Sequence, residues 1–380
     1  MIRVTVNPEL LRWAIKRANQ SKEKLRAKFP KIDQWERGEV VPTFKQIERF
    51  AKAVSVPIGY LFLSKPPEEP IPIPDLRTMP GSSLAPPSPE LLDTIYLSQR
   101  RQAWYRDYAL SVGEEVRSFV GRASLNSPVE KIAGEMRTAL NFDLDERRKC
   151  LTWTEALRNF IEKAEALGVL VMVSGVVGTN TRRRLNPREF RGFALADNLA
   201  PLVFINGADT KAAQIFTLAH ELAHLWLGET ALSDAAPDSA PSQEIERWCN
   251  AVAAEFLVPI KSLRLQVSPG DVFAQKDILA RQFKVSTLVI LRRLLDGGWI
   301  TKEAFRKAYN QELEYLLSMP KRKGGDFYLA QEVRASRRFV KALLVSTLEG
   351  YTLYRDAFQL LGIKKTQTFD KWGQRLGVIM

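Results

Sequence analysis

The sequence predicts an α+β fold that is mainly helical and holds one small antiparallel sheet near the middle of the chain. Three observations predict this fold class. Apolar residues recur at helical spacing over most of the 380 residues. Three short apolar runs, the first of them rich in β-branched residues, cluster between residues 169 and 205. Nine of the 21 prolines lie within residues 66–89, a composition that forms no packed core and therefore divides the chain.

The N-terminal residues 8–63 predict a compact bundle of short helices. Ser21 and Thr43 are suitable N-caps, each directly before a helical apolar pattern. A third short helix is predicted from about residue 30 to residue 37, because Gly38 follows it. We therefore predict a helical N-terminal domain over residues 1–65.

In the middle of the chain the sequence pattern changes from one typical of helices to one typical of strands. Helices are predicted over 90–123, 128–140 and 152–167, before the three short apolar runs. Asp197-Asn198, between the last two runs, is a plausible tight turn and predicts antiparallel pairing there. The three predicted strands are Val169-Leu170-Val171-Met172-Val173, Gly192-Phe193-Ala194-Leu195-Ala196 and Leu202-Val203-Phe204-Ile205.

The chain is predicted to be helical again after Pro259. Four regions result. They are a helical domain over 1–65, a Pro-rich linker over 66–89, a central domain over 90–262 and a helical C-terminal region of unknown role over 263–380.

Charge and composition narrow the class of protein. The net charge is +13, and residues 1–65 alone hold 14 lysines and arginines against 6 acidic residues. Basic surface of this kind suits an anionic partner, although it also suits a merely solvated surface. No apolar run is long enough for a signal peptide or a membrane helix, so no membrane partner is expected. The two distant cysteines make no CxxC motif, and a cytoplasmic location is predicted.

Both histidines of the chain lie in one pentapeptide, His220-Glu221-Leu222-Ala223-His224. Side chains four residues apart share one face of a helix, so both imidazoles can reach one zinc ion. Glu221 can then address a water molecule at the metal as general base. A structural zinc site is the alternative, but it would use four ligands and leave Glu221 without a role. The pentapeptide therefore indicates a zinc-dependent metallopeptidase.

A catalytic zinc ion also needs a third protein ligand and one open position. Glu244, Glu246 and Glu255, in the helical stretch after the pentapeptide, are the candidates. Asn250 lies one helical turn after Glu246 and could orient a ligand on the same face. This spacing favours Glu246 as the ligand and Asn250 as its supporting group.

These stretches resemble the ImmA/IrrE family of zincin-like metallo-endopeptidases. The resemblance rests on Phe216–His224, Glu246–Pro259 and two shorter upstream motifs, Phe190–Ala194 and Phe204–Gly207, and covers roughly residues 150–262. It implies that His220, His224 and Glu246 bind Zn²⁺ and that Glu221 is the general base. Cys249 stands where the family usually has alanine, which is a small-for-small change.

The resemblance also implies a substrate class. It suggests an endopeptidase of narrow specificity that cleaves a regulatory protein, such as a repressor or antitoxin. The setting would be stress response, mobile-element control or a toxin–antitoxin system. An edge strand within residues 192–205 could align the extended substrate by β-augmentation.

The N-terminal bundle resembles an XRE-type helix-turn-helix domain, a common attachment in this family. Trp35-Glu36-Arg37-Gly38 and Pro42-Thr43 match the end of its recognition helix and the following cap. The interval from Ser21 to Trp35 is shorter than usual, and the missing residues would be the turn and the start of that helix. The candidates for DNA contact are Lys31, Gln34 and Arg37. The shortened module could instead bind a partner protein, or touch DNA only through phosphates.

Two further classes of function are compatible with the sequence. One is a DNA-binding transcriptional regulator in which the zinc fold is a sensor or scaffold. The other is an antitoxin or partner-binding protein that uses the linker and the basic C-terminal helices. The intact set of His220, Glu221 and His224 favours the enzyme over both.

Overall fold

The computed structural model describes residues 2–18, 21–77, 87–233, 243–318 and 333–379. It confirms the mainly helical α+β fold class. The chain forms two compact units. The described residues of the first lie within 2–72 and 87–93, and those of the second within 73–77 and 94–379. In these ranges, no helix is long and apolar enough to cross a membrane.

The first unit is a small helical bundle whose helix starts follow the predicted caps. Ser21 accepts a hydrogen bond from the backbone of α2, and Thr43 forms a capping box with Gln46 at the start of α4. Phe29, Trp35 and Phe50 pack together in its core. The elements are α1 Pro8–Arg17, α2 Lys22–Lys28, α3 Ile32–Glu36, α4 Phe44–Val54 and a 3-10 turn Ile58–Phe62.

The predicted DNA contacts surround the shortest helix of this unit. α3 has 5 residues, so it is only about 7.5 Å long. Lys31 and Arg37 are exposed at its two ends, and Gln34 is half-buried between them. Arg37 also pairs with Glu39 at 2.9 Å. DNA contact by these three residues stays a prediction.

The second unit is built from helices around a small sheet. α5, Pro89–Ser111, begins in the first unit and continues into the second. The following helices are α6 Val129–Leu140, α7 Leu144–Lys149, α8 Trp153–Ala166, α9 Lys211–Leu227, α10 Glu244–Leu257, α11 Ile260–Arg264, α12 Lys276–Phe283, α13 Thr287–Asp296, α14 Lys302–Ser318, and three C-terminal helices, Arg337–Leu348, Tyr354–Leu361 and Thr366–Arg375. The strands are β1 Leu170–Ser174, β2 Val176–Val177, β3 Asn180–Arg184, β4 Gly192–Leu195, β5 Leu202–Asn206 and β6 Ala231–Ser233.

Four of these strands form one sheet in the order β1-β5-β4-β6, and β2 and β3 form a separate hairpin. β4 and β5 pair antiparallel, as predicted. Asp197 stabilises the loop between them, because its Oδ1 accepts hydrogen bonds from the backbone of Leu199 and Ala200, both at 2.8 Å. β4 also pairs antiparallel with β6.

The prediction of a wholly antiparallel sheet is wrong, because β1 pairs with β5 in parallel. Parallel neighbours need a long crossover, and residues 175–201 supply it by carrying the hairpin and β4 between the two strands. The suggestion of an edge strand within residues 192–205 is also wrong. β4 and β5 lie inside the sheet, and its edges are β1 and β6.

Candidate metal centre

The helix that carries both histidines begins and ends at clear signals. Thr210 accepts a hydrogen bond from the backbone of Ala213 at its start. Gly228 ends it in the left-handed conformation, with φ of 75°. Residues 214–226 between these caps are all buried. The polar side chains on this helix therefore need partners inside the protein.

Glu246 supplies such a partner from the first turn of α10, where the helix dipole favours a negative charge. Its Oε1 lies 3.1 Å from Nε2 of His224, and its Oε2 lies 3.3 Å from Nε2 of His220. The two Nε2 atoms are 3.1 Å apart. All three side chains are at most 1% exposed. The structure thus brings the three predicted ligands together.

These separations fit a bound zinc ion. Nitrogen and oxygen ligands at about 2.0–2.1 Å from a tetrahedral zinc ion lie roughly 3.3 Å from one another. The ligand atoms of this group all lie within 4.8 Å of each other, and the described residues contain no second such group of His, Cys, Asp or Glu. Two imidazoles and one carboxylate suit Zn²⁺ better than Mg²⁺ or Ca²⁺.

The pKa values follow from the same contacts. Burial lowers the pKa of His224. Burial also opposes the charge on His220, but the adjacent Glu246 carboxylate outweighs it and raises the pKa of that imidazole. Burial alone would raise the pKa of Glu246, yet the two imidazoles hold it at about 2. A carboxylate that stays ionised between two imidazoles favours a cation at their centre.

Glu221 is buried beside the three ligands and interacts electrostatically with His220 and Glu246. Its Oε1 accepts a hydrogen bond from Oγ of Ser233 on β6. Its Oε2 is buried without a hydrogen-bond partner among the described residues. Burial raises the pKa of this carboxyl to about 8. One oxygen is thus fixed to the sheet, and the other is left for a reacting group.

Gly192 on β4 makes room for the Glu221 carboxylate. A Cβ atom at this position would lie 2.7 Å from Oε1 of Glu221 and 2.6 Å from Cγ2 of Thr217. Such distances are shorter than packed atoms tolerate. The glycine is therefore needed for the close approach of α9 to the sheet.

The other two candidate ligands lie elsewhere. Glu244 is exposed to solvent. Glu255 is buried and forms an ion pair with Arg293 of α13. Its Oε2 also accepts a hydrogen bond from the backbone N–H of Ile260. Glu255 therefore fixes the end of α10 and does not face the histidines.

Arginines hold the C-terminal end of α10 in place. Arg137 donates hydrogen bonds to the carbonyl oxygens of Glu255 and Phe256. Arg147 donates to the Phe256 carbonyl at 3.3 Å, and Arg293 to the Val258 carbonyl at 2.9 Å. The last carbonyls of a helix have no partner within the helix, so these donors satisfy them. They fix the helix that presents Glu246.

Asn250, the predicted supporting group, forms a hydrogen bond with His220. It is half-buried one turn after Glu246. After the larger influence of Glu246, a hydrogen bond to Asn250 also helps to raise the pKa of His220. This contact suits a group that orients the His220 imidazole.

Sequence reasoning missed two residues at this site. Ser233 lies on a strand of only 3 residues, and nothing in the local sequence links it to Glu221. Gly192 stands within one of the motifs that carry the family resemblance, and its position before an apolar strand could have indicated a close backbone approach. Both contacts depend on the packing of α9 against the sheet.

A buried helix with two histidines, a glutamate ligand from the next helix and a separate buried glutamate defines a metallopeptidase-type site. Residues 164–295 match the sequence model of peptidase family M78, described as the IrrE N-terminal-like domain. This match spans α9 and α10 and supports the resemblance to ImmA/IrrE peptidases; the N-terminal bundle lies outside it. Residues 335–375 match a domain of unknown function, DUF8813. No curated protein and no solved structure matches the chain.

Proposed function

We propose that this protein is a zinc-dependent endopeptidase of narrow specificity. The observation that carries the proposal is the convergence of His220, His224 and Glu246 within 3.3 Å, next to the carboxylate of Glu221. When bound there, zinc supplies a Lewis acid that polarises the scissile carbonyl and lowers the pKa of a water molecule.

Glu221 is the proposed general base and acid. Its Oε2 takes the proton from the attacking water and then delivers it to the leaving amine. Ser233 fixes the other oxygen, so the carboxylate does not rotate away from the ligands.

The burial of the site supports narrow specificity. His220, Glu221 and His224 are all 0% exposed, so a peptide bond must be presented in an extended segment to reach them. With the family resemblance, this suggests a regulatory protein as substrate, such as a repressor or an antitoxin. We propose this partner class, and Zn²⁺ as the cofactor, on the basis of the site and of the matched domain.

The test compares wild type with Glu221→Gln, which keeps the three ligands. We expect about one zinc ion per chain in both proteins by elemental analysis. After incubation with cell lysate, quantitative proteomics should find one or a few proteins shortened by wild type alone. Lysate profiles that are identical for both zinc-loaded proteins would contradict the proposal, and absence of zinc from both would remove its basis.

DNA binding by the N-terminal bundle is a second candidate function. The observation that favours it is the excess of basic residues within residues 1–65. We expect duplex DNA to bind at low salt with an affinity that falls steeply as salt rises. Exchange of both Lys31 and Arg37 for glutamate should weaken binding, whereas Lys302→Glu, an exposed residue of α14, should not. A chain that retards no duplex at low salt would rule out this role.

A further inference from the structure

A short segment of the chain lies along the outer edge of β6. Residues 73–77 lie within the Pro-rich stretch, after Pro66 and Pro67, and belong to the second unit. The backbone N–H of Leu232 donates to the carbonyl of Pro74 at 2.9 Å, and that of Leu76 donates to the carbonyl of Leu232 at 3.0 Å. Asp75 and Leu232 form a parallel bridge. The segment therefore occupies the place of a further strand.

Side chains hold this segment to the sheet. Arg77 makes two hydrogen bonds of 2.8 Å to the carboxylate of Asp75 and donates to the Glu189 carbonyl at 3.1 Å. Ile73 and Arg77 are each only 7% exposed. Pro74 turns its carbonyl to β6 but has no N–H group, so Leu76 supplies the backbone donor of the segment to Leu232.

The edge that this segment covers is the one nearest to the proposed catalytic group. Ser233, the last residue of β6, donates to Glu221, and a Cβ atom at Gly192 of the neighbouring β4 would lie 2.7 Å from the same carboxylate. The opposite edge, β1, lies beyond β5 in the sheet order. An extended peptide binds proteins readily by pairing its main chain with an open strand edge. A peptide that reaches Glu221 in this way would pair with β6.

We propose that residues 73–77 occupy, within the same chain, the strand edge that binds the main chain of the substrate. The substrate and this segment then compete for β6, and the peptidase is restrained until the segment leaves. The inference rests on the proposed peptidase function. It adds the surface that receives an extended peptide and the segment that blocks it.

Leu76→Pro tests the proposal, because it removes the N–H that pairs with Leu232 and keeps an extended backbone. Leu76→Ala is the matched control, since it keeps that N–H. The first readout is cleavage of the substrate identified in lysate. We expect Leu76→Pro to raise kcat/KM about tenfold over both wild type and Leu76→Ala, mainly through a lower KM, with unchanged zinc content.

A second readout does not depend on catalysis. A fluorescein-labelled synthetic peptide with the sequence of residues 70–77 is titrated into each variant in the Glu221→Gln background. We expect about tenfold tighter binding to Leu76→Pro than to Leu76→Ala, and no such gain for a peptide that carries proline in place of Leu76. Equal binding by the two variants would overturn the proposal. If the peptide binds more tightly to Leu76→Pro than to Leu76→Ala but no variant cleaves a substrate, the proposal about residues 73–77 stands and the proposed peptidase activity is refuted.

Arg77→Ala replaces Leu76→Pro if circular dichroism shows that the proline variant does not fold. It removes the contacts with Asp75 and the Glu189 carbonyl and leaves the backbone of the segment intact. Its control is Arg188→Ala, an exposed arginine just before Glu189. Peptide binding should rise for Arg77→Ala alone. If both arginine variants bind the peptide like wild type, residues 73–77 are a fixed part of the fold and the proposal fails.

Discussion

Glu246 is held beside the two histidines by its own helix as well as by contacts with both imidazoles. Its position in the first turn of α10 lowers the cost of burying a carboxylate, and the two imidazoles lower it further. Replacement of Glu246 by glutamine would leave two imidazole nitrogens and a neutral amide in a site that is closed to solvent. The third ligand is therefore the side chain on which metal affinity depends most directly.

We expect Glu246→Gln to weaken zinc binding by on the order of 100-fold or more, because an amide is a poorer ligand than a carboxylate. Competition with a chromogenic chelator measures the affinity. Glu244→Gln is the matched control, since Glu244 lies in the same helical turn but is exposed. An equal loss of zinc affinity in both variants would show that the substitutions disturb α10 and that Glu246 is not a ligand.

Ser233 should matter for the rate and little for zinc. Ser233→Ala removes the hydrogen bond that fixes Oε1 of Glu221, so the base loses its orientation. We expect kcat to fall about tenfold, with KM and zinc content near those of wild type. Ser233→Thr keeps the hydroxyl and should recover most of the rate. A Ser233→Ala enzyme with wild-type kcat would contradict the role assigned to this contact.

At the scale of elements, the buried arginines show how α10 is fixed. Arg147 is 1% exposed and donates to the carbonyls of Phe256 and Phe283. Burial lowers the pKa of its guanidinium to about 9, which shows how far it is removed from water. It links the ends of two helices that are separate in sequence.

Arg147→Met should destabilise the protein by about 2–4 kcal/mol, because it fills a similar space but removes the donor to the Phe283 carbonyl and one of the two arginine donors to the Phe256 carbonyl. Chemical denaturation measures the free energy of unfolding. Arg148→Met is the control. That neighbour is exposed and pairs with Asp145 at 3.4 Å on the surface, so its replacement should change stability by less than about 0.5 kcal/mol. A similar loss of unfolding free energy in the two variants would argue against a specific role of Arg147 at these helix ends.

The elements that the sequence predicted well are those with local causes. Ser21, Thr43 and Gly38 act within a few residues of themselves, so the helices of the first unit could be placed from sequence. The two histidines and Glu221 share one helix and were likewise recognisable. The parallel pairing of β1 with β5 depends on contacts between distant segments, and no local pattern indicated it. The pairing of residues 73–77 with β6 is of the same kind, since proline content alone suggested only a linker.

At the scale of the whole molecule, Glu165 joins two regions that are far apart in the chain. It lies at the end of α8 and accepts a hydrogen bond of 2.5 Å from Oγ of Ser336. Ser336 is itself buried and adopts a φ of 69°, which is uncommon for a residue with a side chain. Burial raises the pKa of Glu165 to about 7. The folded protein therefore binds this proton more tightly than the unfolded chain does.

This contact should make stability depend on pH. Because the folded pKa is above the ordinary value of 4.5, the free energy of unfolding should fall as pH rises from about 4.5 through about 7. Glu165→Gln should flatten that slope and be more stable than wild type at pH 8, by on the order of 2–3 kcal/mol. Thermal unfolding across pH 5–8 tests this, with Glu162→Gln, a half-exposed neighbour, as control. Parallel pH curves for wild type and Glu165→Gln would contradict the assignment.

The chain holds only 2 histidines, and both lie at the candidate metal centre. Every imidazole resonance in an NMR spectrum of this protein therefore originates from that centre, without background from the other 378 residues. Selective labelling with isotopically enriched histidine would therefore report metal loading, tautomeric state and inhibitor contact through the resonances of two residues. The scarcity of one amino acid gives the protein a built-in spectroscopic reporter.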